Sequence, residues 1–422
     1  MDRHTKNKQI NWWKNEELVY SFFCGGIVCS LIFWSLLTNI FSILLFLYWL
    51  FISKKNFSPQ HKWILLFGSL FLIVIISAIF SNNITEAIHK LEQKSPILLF
   101  PMVFGTTKVL TPVVFKRILT VFVWSTFLGC LFCIANGIKV FLTTGSTNNL
   151  HGYGLVALKN MSGFFLGLCC LLSIIYLSIN LYKSFLNRET LRANYLDGLI
   201  LIVLFAFLFL LGNRNMLFYI TCLIIFFCFK LVPSMKIRII VLASLAFTFF
   251  FTILINPYFN KQWKDLADFS KENTIQLDKD QSLGRAWGGK TIRLAIWECS
   301  LDILKENWLT GVGVGDTQDE LQKAYEKRQF YFASRYNRYN AHNQYIQQAI
   351  ASGVAGLLVF MACIFIPLFY FIRQRERLIY ILFLFCFAFI CITESVLETS
   401  KGVIWYSFLN SIFAFNKKSA SA

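Results

Sequence analysis

Long apolar blocks dominate this sequence and restrict what the chain can fold into. They run for roughly 15–25 residues, the length that an α-helix needs to cross a bilayer. Only 15% of the 422 residues are charged, whereas about a quarter are charged in ordinary soluble domains. We therefore predict an all-α, polytopic membrane protein with about twelve transmembrane helices in contact with membrane lipids. The candidate spans are Leu18–Leu37, Thr38–Ser53, Trp63–Ser81, Ile97–Leu110, Phe115–Leu142, Asn160–Tyr182, Leu196–Gly212, Asn215–Leu231, Ile237–Ile255, Gln347–Ile372, Leu378–Glu394 and Gly402–Phe415.

The distribution of basic residues orients these helices. If the N-terminus is cytoplasmic, the cytoplasmic segments hold 21 Lys and Arg residues, whereas the short segments on the other side hold six. Basic residues collect on the cytoplasmic side of membrane proteins. The pattern predicts a multi-pass protein of the inner (cytoplasmic) membrane with both termini in the cytoplasm. Much of the net charge of +18 then reflects topology, and we expect no nucleic-acid binding.

One long polar segment interrupts the apolar blocks. We predict nine helices in residues 1–255, a large periplasmic loop in residues 256–345, and three helices with a short cytoplasmic tail in residues 346–422. Apolar residues at helical spacing predict an amphipathic helix over 291–308 of the loop. Asp316 and Asp319 predict the N-cap and the first turn of a second helix. We expect the chemistry of the protein in this loop.

No residue pattern predicts a cofactor. No His, Cys and carboxylate cluster has zinc-ligand spacing, so we expect no metal. The glycines at 311, 313 and 315 follow a predicted helix instead of a strand, which disfavours a nucleotide-binding loop. Eleven of the twelve cysteines lie in predicted membrane helices and only Cys299 lies in the loop, so we expect no loop disulfide.

Three ionisable residues stand out at the predicted outer face. Arg214 lies in a tight turn between two apolar helices, where an arginine is costly without an anionic partner. The alternative is that its side chain snorkels to the interface. Arg293 begins the predicted loop helix, where a solvated surface charge is the simpler interpretation. His342 precedes the tenth helix, and by itself it would be an ordinary interfacial histidine.

Small residues follow His342 at helical spacing. At about 100° per residue, positions 349, 353 and 356 fall on the same side of a helix as position 342. Ala349, Gly353 and Gly356 therefore predict a stripe under the histidine where a neighbouring helix approaches closely. The dipole at the N-terminus of this helix disfavours an imidazolium, which would keep the ring available as a base.

His342 and Asn343, followed after nine residues by Gly353 and then by Gly356, resemble the signature of the bacterial O-antigen ligases. The similarity extends to two other segments. Residues 212–214 resemble the short outer loop that bears the first essential arginine of that family. Residues 293–297 and 308–313 resemble its loop helix with the second arginine.

The resemblance covers the chain from about residue 196 to the end, while the N-terminal half is similar only in hydropathy and helix count. Two positions depart from the family pattern. Arg285 competes with Arg293 for the role of the second arginine. Asn213 stands where many members carry a small or hydroxyl residue.

The resemblance implies a GT-C-like glycosyltransferase at the periplasmic face of the bacterial inner membrane. Such ligases transfer a completed glycan from undecaprenyl pyrophosphate to the lipid A core, without nucleotide or metal. Arg214 and Arg293 would neutralise the lipid-linked pyrophosphate with fork-shaped donors, and His342 would take the proton from the acceptor hydroxyl. Asn343 and Arg285 are further candidates for substrate binding.

Two other functions compete with this interpretation. A polysaccharide polymerase of the same superfamily would use the same donor, with a second lipid-linked glycan as acceptor. A transporter or flippase belongs to a different class. Transporters often show inverted repeats and charged residues near the bilayer midplane. The sequence shows neither feature, and its notable charges cluster at one face.

The last outer turn carries Glu394, Glu398 and Lys401. The simpler interpretation is that these residues pair locally and anchor the turn at the membrane interface. Alternatively, one carboxylate orients His342 or an arginine, as outer partners of functional side chains often do. All three are therefore candidates for the substrate site, and the sequence leaves the choice open.

Overall fold

The computed structural model describes residues 15–55, 61–159, 161–187, 191–231, 234–236, 238, 239, 243, 289–374 and 377–416. These residues form helices, turns and loops, and no β-strand is present among them. The predicted span at 237–255 lies almost entirely outside the described residues, and Arg285 lies wholly outside them. The α-helices in chain order are α1 (Glu16–Phe33), α2 (Ser35–Phe51), α3 (His61–Ile79), α4 (Ile84–Lys94), α5 (Pro96–Gly105), α6 (Pro112–Thr144), α7 (Gly163–Leu186), α8 (Leu191–Leu211), α9 (Arg214–Leu231), α10 (Gly289–Asn307), α11 (Thr317–Lys327), α12 (Gln344–Arg373), α13 (Leu378–Ile390) and α14 (Ser400–Phe415).

Several of these helices fit a membrane. Five are long and apolar enough to cross one, namely α1, α3, α6, α7 and α12. Shorter apolar stretches occupy Ser35–Phe51, Tyr195–Leu211, Asn215–Phe229 and Leu378–Ile390. Large apolar side chains such as Leu65 and Ile202 are more than 60% exposed, which suits contact with lipid. The protein is therefore an all-helical membrane protein, while the count of twelve spans stays a prediction.

The predicted span at Ile97–Leu110 is wrong in its extent. The helix there, α5, ends at Gly105 and has ten residues. It is about 15 Å long, roughly half the thickness of the hydrocarbon core. Thr106 (φ −102°, ψ 6°) leaves the helical conformation directly after Gly105. Before α5 lies the amphipathic helix α4, which the apolar blocks did not predict.

The helix that follows His342 is broken after about one third of its length. Ser352 (φ −136°, ψ 18°) and Gly353 (φ 61°, ψ −165°) leave the helical conformation, so α12 has a short part before the break and a longer part after it. A loop between α10 and α11 bonds the backbone groups at the break. Val354 N donates to Trp308 O at 2.9 Å, and Val312 N donates to Ile350 O at 2.8 Å. Non-helical backbone is tolerated at such depth where protein satisfies it in this way.

The predicted stripe of small residues under His342 is therefore wrong. Because α12 begins at Gln344 and breaks at Gly353, positions 342, 349, 353 and 356 do not share one helical face. The ring of His342 is held by other contacts, and Ala349 forms no stripe with the two glycines.

Both glycines nevertheless allow close approach. A side chain on Gly353 would collide with the carbonyl group of Leu309 and would lie 2.7 Å from Thr310 N. A Cβ on Gly356 would collide with Ser352 Cβ at the break in the same helix, and would lie 3.2 Å from the side chain of Ile73 in α3. Small residues at both positions therefore leave room for the break and for its close neighbours.

Residues 289–343, which we call the loop region, pack around a small core of their own. The predicted amphipathic helix is confirmed as α10, and the second loop helix is confirmed as α11. Ile296, Cys299, Leu321 and Tyr325 are buried between the two helices. Ile350 of α12 joins this core, so the loop region is packed directly on the part of α12 before the break.

Asp316 stands at the predicted N-cap position of α11, but its side chain caps another helix. Its carboxylate accepts hydrogen bonds from Asn82 N at 2.6 Å and Asn83 N at 2.8 Å, at the start of α4. Gly315 N also donates to Ser81 Oγ at 2.9 Å. A carboxylate at the N-terminus of a helix stabilises it. The loop region is thereby fixed to the α3–α4 turn.

Candidate functional site

Residues 391–399, which we call the corner, connect α13 to α14 and lie against the start of α12. Gln344 N donates to Cys391 O at 2.7 Å, and the Gln344 side chain accepts from Leu397 N at 2.7 Å. Asn343 N donates to Ser395 Oγ at 3.1 Å. Gln344 is fully buried, so these bonds are shielded from water. The corner and the residues around His342 therefore form one fixed unit.

His342 lies just before α12 in a strained backbone conformation, with φ at 44°. Its N–H donates to Asn340 Oδ1 at 3.0 Å. Asn343 follows as the N-cap, and its side chain accepts from the first-turn amides of Tyr345 and Ile346. A left-handed residue other than glycine is uncommon and often marks a functional position. The strain places the imidazole beside the corner instead of over the helix.

The imidazole of His342 contacts one carboxylate of the corner. Its Nδ1 atom lies 3.3 Å from Glu394 Oε2. The other carboxylate oxygen, Oε1, lies 2.6 Å from the Arg293 Nη2 atom. All three side chains are between one fifth and about one quarter exposed. Glu394 therefore joins the candidate base and the candidate arginine.

Glu394 is held in its charged form. Burial alone would raise the pKa of this carboxyl, but the hydrogen bond with His342 and the positive charge of Arg293 outweigh burial. Together they keep the Glu394 pKa below its usual value. A negative charge therefore faces the Nδ1 atom of His342.

The loop helix α10 reaches the site with two side chains one turn apart. Arg293 Nε donates to Thr393 O at 3.0 Å, in addition to the ion pair with Glu394. Trp297 Nε1 donates to Ala341 O at 3.0 Å, next to His342. Residues four apart share a helix face, so this spacing lets both side chains reach the same site.

The short loop before α9 is connected to the same corner. Arg214 is the first residue of α9, and its side chain lies outside the described part of the structure. Its neighbour Asn215 donates from Nδ2 to Thr393 Oγ1 at 2.7 Å. Asn213 Oδ1 accepts from Asn215 N at 3.2 Å. The departure from the family pattern at Asn213 thus supplies an N-cap side chain for α9.

Glu398 and Lys401 have partners away from His342. The Glu398 carboxylate lies 2.8 Å from Lys94 Nζ and 3.0 Å from Lys90 Nζ of α4. Burial would raise the pKa of this carboxyl, but the two lysines hold it below its usual value. Lys401 Nζ lies 3.6 Å from the sulfur of Met161, and burial lowers its pKa. Of the three residues of this turn, Glu394 is the one in contact with His342 and an arginine.

Several residues of the site were missed in the sequence. Thr393 accepts hydrogen bonds from Arg293 and from Asn215, and the Tyr339 ring packs edge-on to His342 with centroids 5.2 Å apart. Asn215 and Tyr339 stand within two or three residues of Arg214 and His342, so proximity to a motif was the available signal. Thr393 had no comparable signal. Within the described ranges, no group of three or more His, Cys, Asp or Glu residues could hold a metal ion.

Comparison with known proteins bears on the family resemblance. Residues 199–361 match the family model described as O-antigen ligase. The match includes Arg214, Arg293 and His342 and ends before Glu394. No curated protein matches the chain. The resemblance expected from the sequence motifs is confirmed for residues 199–361, which are similar to the O-antigen ligase family.

Proposed function

We propose that this protein is a metal-independent O-antigen ligase. In this proposal it transfers O-antigen polysaccharide from undecaprenyl pyrophosphate to the lipid A core, at the periplasmic face of the bacterial inner membrane. The contact of Glu394 with both His342 and Arg293 carries the proposal, because it joins a candidate base to a candidate arginine in a chain whose residues 199–361 match this family.

The reaction exchanges one glycosidic oxygen for another. A hydroxyl oxygen of the acceptor attacks the anomeric carbon of the donor glycan, and the bond from that carbon to the pyrophosphate breaks. The acceptor loses its proton, and the lipid pyrophosphate leaves with the bonding electron pair. The site must therefore accept a proton at the acceptor hydroxyl and stabilise negative charge at the leaving pyrophosphate.

His342 is suited to accept the proton. With a carboxylate beside Nδ1, the neutral imidazole carries its proton on Nδ1 and leaves Nε2 as the acceptor. Glu394 then stabilises the imidazolium that forms, as a carboxylate does for the histidine of serine hydrolases. A separation of 3.3 Å is long for a hydrogen bond, and such contacts often shorten when substrate binds.

Arg293 and Arg214 are suited to stabilise the leaving pyrophosphate. A guanidinium grips phosphate oxygens with parallel N–H donors, and its charge is worth most where water is excluded. The Asn215–Thr393 bond supports this role, because it ties the loop of Arg214 to the corner that Arg293 contacts. Arg285 is a second candidate for this grip.

The shared carboxylate couples the two tasks. In the free protein, Arg293 and Glu394 together are neutral. After His342 takes a proton, the three side chains carry a net charge of +1 at the moment when the pyrophosphate gains negative charge. Glu394 then competes less strongly with the pyrophosphate for the charge of Arg293, because the carboxylate also faces an imidazolium.

A deletion strain tests this function through its surface lipopolysaccharide. A ligase predicts loss of all long glycan from the surface and accumulation of lipid-linked polymer. A polymerase of the same superfamily predicts a core that bears one repeat unit. Purified protein with a defined polymeric donor and lipid A core acceptor gives the second test. Transfer to a lipid-linked glycan instead of the core would contradict the ligase assignment.

A further inference from the structure

A polar cavity of about 480 Å³ lies in the loop region, separate from the contact of His342 with Glu394. We call it the loop cavity. Its walls come from the turn before α4, from α11 and from the segment that leads to Tyr339. The lining residues include Asn82, Asp319, Gln322, Glu326, Ser334 and Arg338. This volume is in the range of small-molecule binding sites.

Two buried polar atoms of this wall have no hydrogen-bond partner in the described part of the chain. Ser334 is only 6% exposed, and its Oγ atom is unpartnered. Gln322 donates from Nε2 to Tyr339 O at 3.4 Å, while its Oε1 atom is also unpartnered. Buried polar groups are almost always hydrogen-bonded. Ser334 also lies in the π-helix Phe332–Asn337, a conformation that is frequent at functional sites.

The chemistry of the walls selects the kind of ligand. Four carboxylates and two basic side chains line the cavity, so it is acidic and rich in acceptors. Asp316 already binds the amides of α4, and Asp319 pairs with Arg338 at 3.6 Å. Carboxylate, amide and hydroxyl oxygens accept hydrogen bonds from hydroxyl groups. The net negative charge disfavours phosphate and other anions.

The loop cavity adjoins the candidate site through one short segment. Arg338 lines the cavity, and the next residue, Tyr339, packs its ring on His342. Gln318 and Gln322 of α11 both donate to Tyr339 O, which fixes this segment to the cavity wall. Adjacent residues of the chain therefore line the cavity and pack on His342.

We propose that the loop cavity is a glycan subsite that holds an uncharged, hydroxyl-rich sugar of the donor chain, away from the bond that is transferred. This inference rests on the proposed function, because it assumes a glycan donor at His342. The subsite would bind long donors more tightly than donors with one repeat unit. It would contribute to binding and leave the chemical step unchanged.

The experiment compares KM for two donors, one with a single repeat unit and one polymeric. We expect Ser334→Ala combined with Glu326→Gln to raise KM for the polymeric donor roughly 3–10-fold, the loss typical of one or two hydrogen bonds. KM for the single-unit donor and kcat for both should stay unchanged. Glu326→Gln alone, on an exposed residue of the same wall, should act in the same direction without risk to folding.

The matched control is Gln318→Leu. This glutamine lies on α11 and contacts Tyr339 O, but it does not line the cavity. It should change both donors alike, because it acts through the loop. Equal effects of the cavity variants on both donors would overturn the subsite, and so would unchanged KM values.

Binding of the delipidated polymer, followed by saturation-transfer NMR, separates this inference from the proposed function. The polymer should bind to wild type and lose affinity in the cavity variants. If wild type transfers no glycan but still shows this pattern, the proposed function fails and the subsite stands. If chelator abolishes polymer binding, the cavity holds a cation and the subsite is wrong.

Discussion

The Nδ1 atom of His342 lies 3.3 Å from the Glu394 carboxylate, although 52 positions separate the two residues in the chain. Three backbone and side-chain bonds between residues 343–344 and the corner hold this pair in register. The other oxygen of the same carboxylate contacts Arg293. A change at Glu394 should therefore affect the base and the arginine together.

We expect Glu394→Gln to lower kcat for glycan transfer by at least about 10²-fold, because Glu394 supports His342 and a positioned base contributes this much or more. The amide removes the charge that stabilises the imidazolium and keeps the size of the side chain. The measurement is transfer by purified protein from an undecaprenyl-pyrophosphate donor. Glu398→Gln is the matched control in the same corner, since its carboxylate faces lysines of α4. A larger loss of kcat in the control would contradict the role of Glu394.

His342→Ala should abolish transfer and leave membrane insertion and thermal stability nearly intact. The side chain is about a quarter exposed, so its removal creates little cavity. Transfer is measured on protein quantified in detergent, next to its melting temperature. Full activity at normal expression would remove His342 from the mechanism.

We expect Arg293→Lys and Arg214→Lys to be severely impaired although both keep the charge. Lysine is a point charge and cannot reproduce the fork that binds two oxygens. Loss of one preorganised donor typically costs on the order of 10²–10³ in rate. Arg285→Lys should be tolerated and serves as the control. If Arg285→Lys fails while Arg293→Lys works, the second arginine is Arg285; normal rates for both Arg214→Lys and Arg293→Lys would eliminate the pyrophosphate grip.

Gly353→Leu should inactivate the protein and lower its melting temperature. The position combines φ 61° with ψ −165°, a conformation that is essentially restricted to glycine, and it has no room for a side chain. Gly356→Leu should act in the same direction through its contact with α3. Gly198→Ala on α8 is the control, because an added Cβ there meets nothing within 4 Å. Normal activity in both leucine variants would show that these close contacts are dispensable.

Glu398→Gln should lower the melting temperature at neutral pH and lose this effect in acid. The pKa of Glu398 is lowered in the folded protein, so its contribution is fully present above its ordinary pKa of about 4.5. The contribution disappears as pH falls through the lower folded pKa. Melting curves of wild type and variant in detergent should therefore converge at low pH. A constant difference at every pH would mean that packing, not charge, accounts for the effect.

The sequence predicted the components of the site better than their connections. Arg293 and His342 were identified by motif, and the amphipathic pattern of α10 follows from its packing on α11. Asn215 and Thr393 were missed because single polar residues at helix ends do not belong to any periodic pattern in the sequence. The choice between Glu394 and Glu398 stayed open because both lie in one turn, four residues apart. Only the tertiary fold decides that Lys90 and Lys94 face Glu398.

The break in α12 was also beyond the sequence. A glycine within an apolar block is compatible with a continuous helix, and position 353 was interpreted in that way. The decisive factor is the loop at 308–313, whose backbone amides and carbonyl replace helical bonds. This replacement of hydrogen bonds depends on a segment about 40 residues away, and the spacing of residues near position 353 carries no information about it.

The same break has a mechanical consequence. Its bonds to Trp308 and Val312 couple the loop region to the membrane helix that begins beside His342. Lifting the loop region away from the membrane would leave buried amide and carbonyl groups without hydrogen-bond partners in apolar surroundings. This would cost several kcal/mol of free energy. The part of α12 before the break and the loop region should consequently move as one rigid body. Any displacement of this body would carry His342 and Arg293 together.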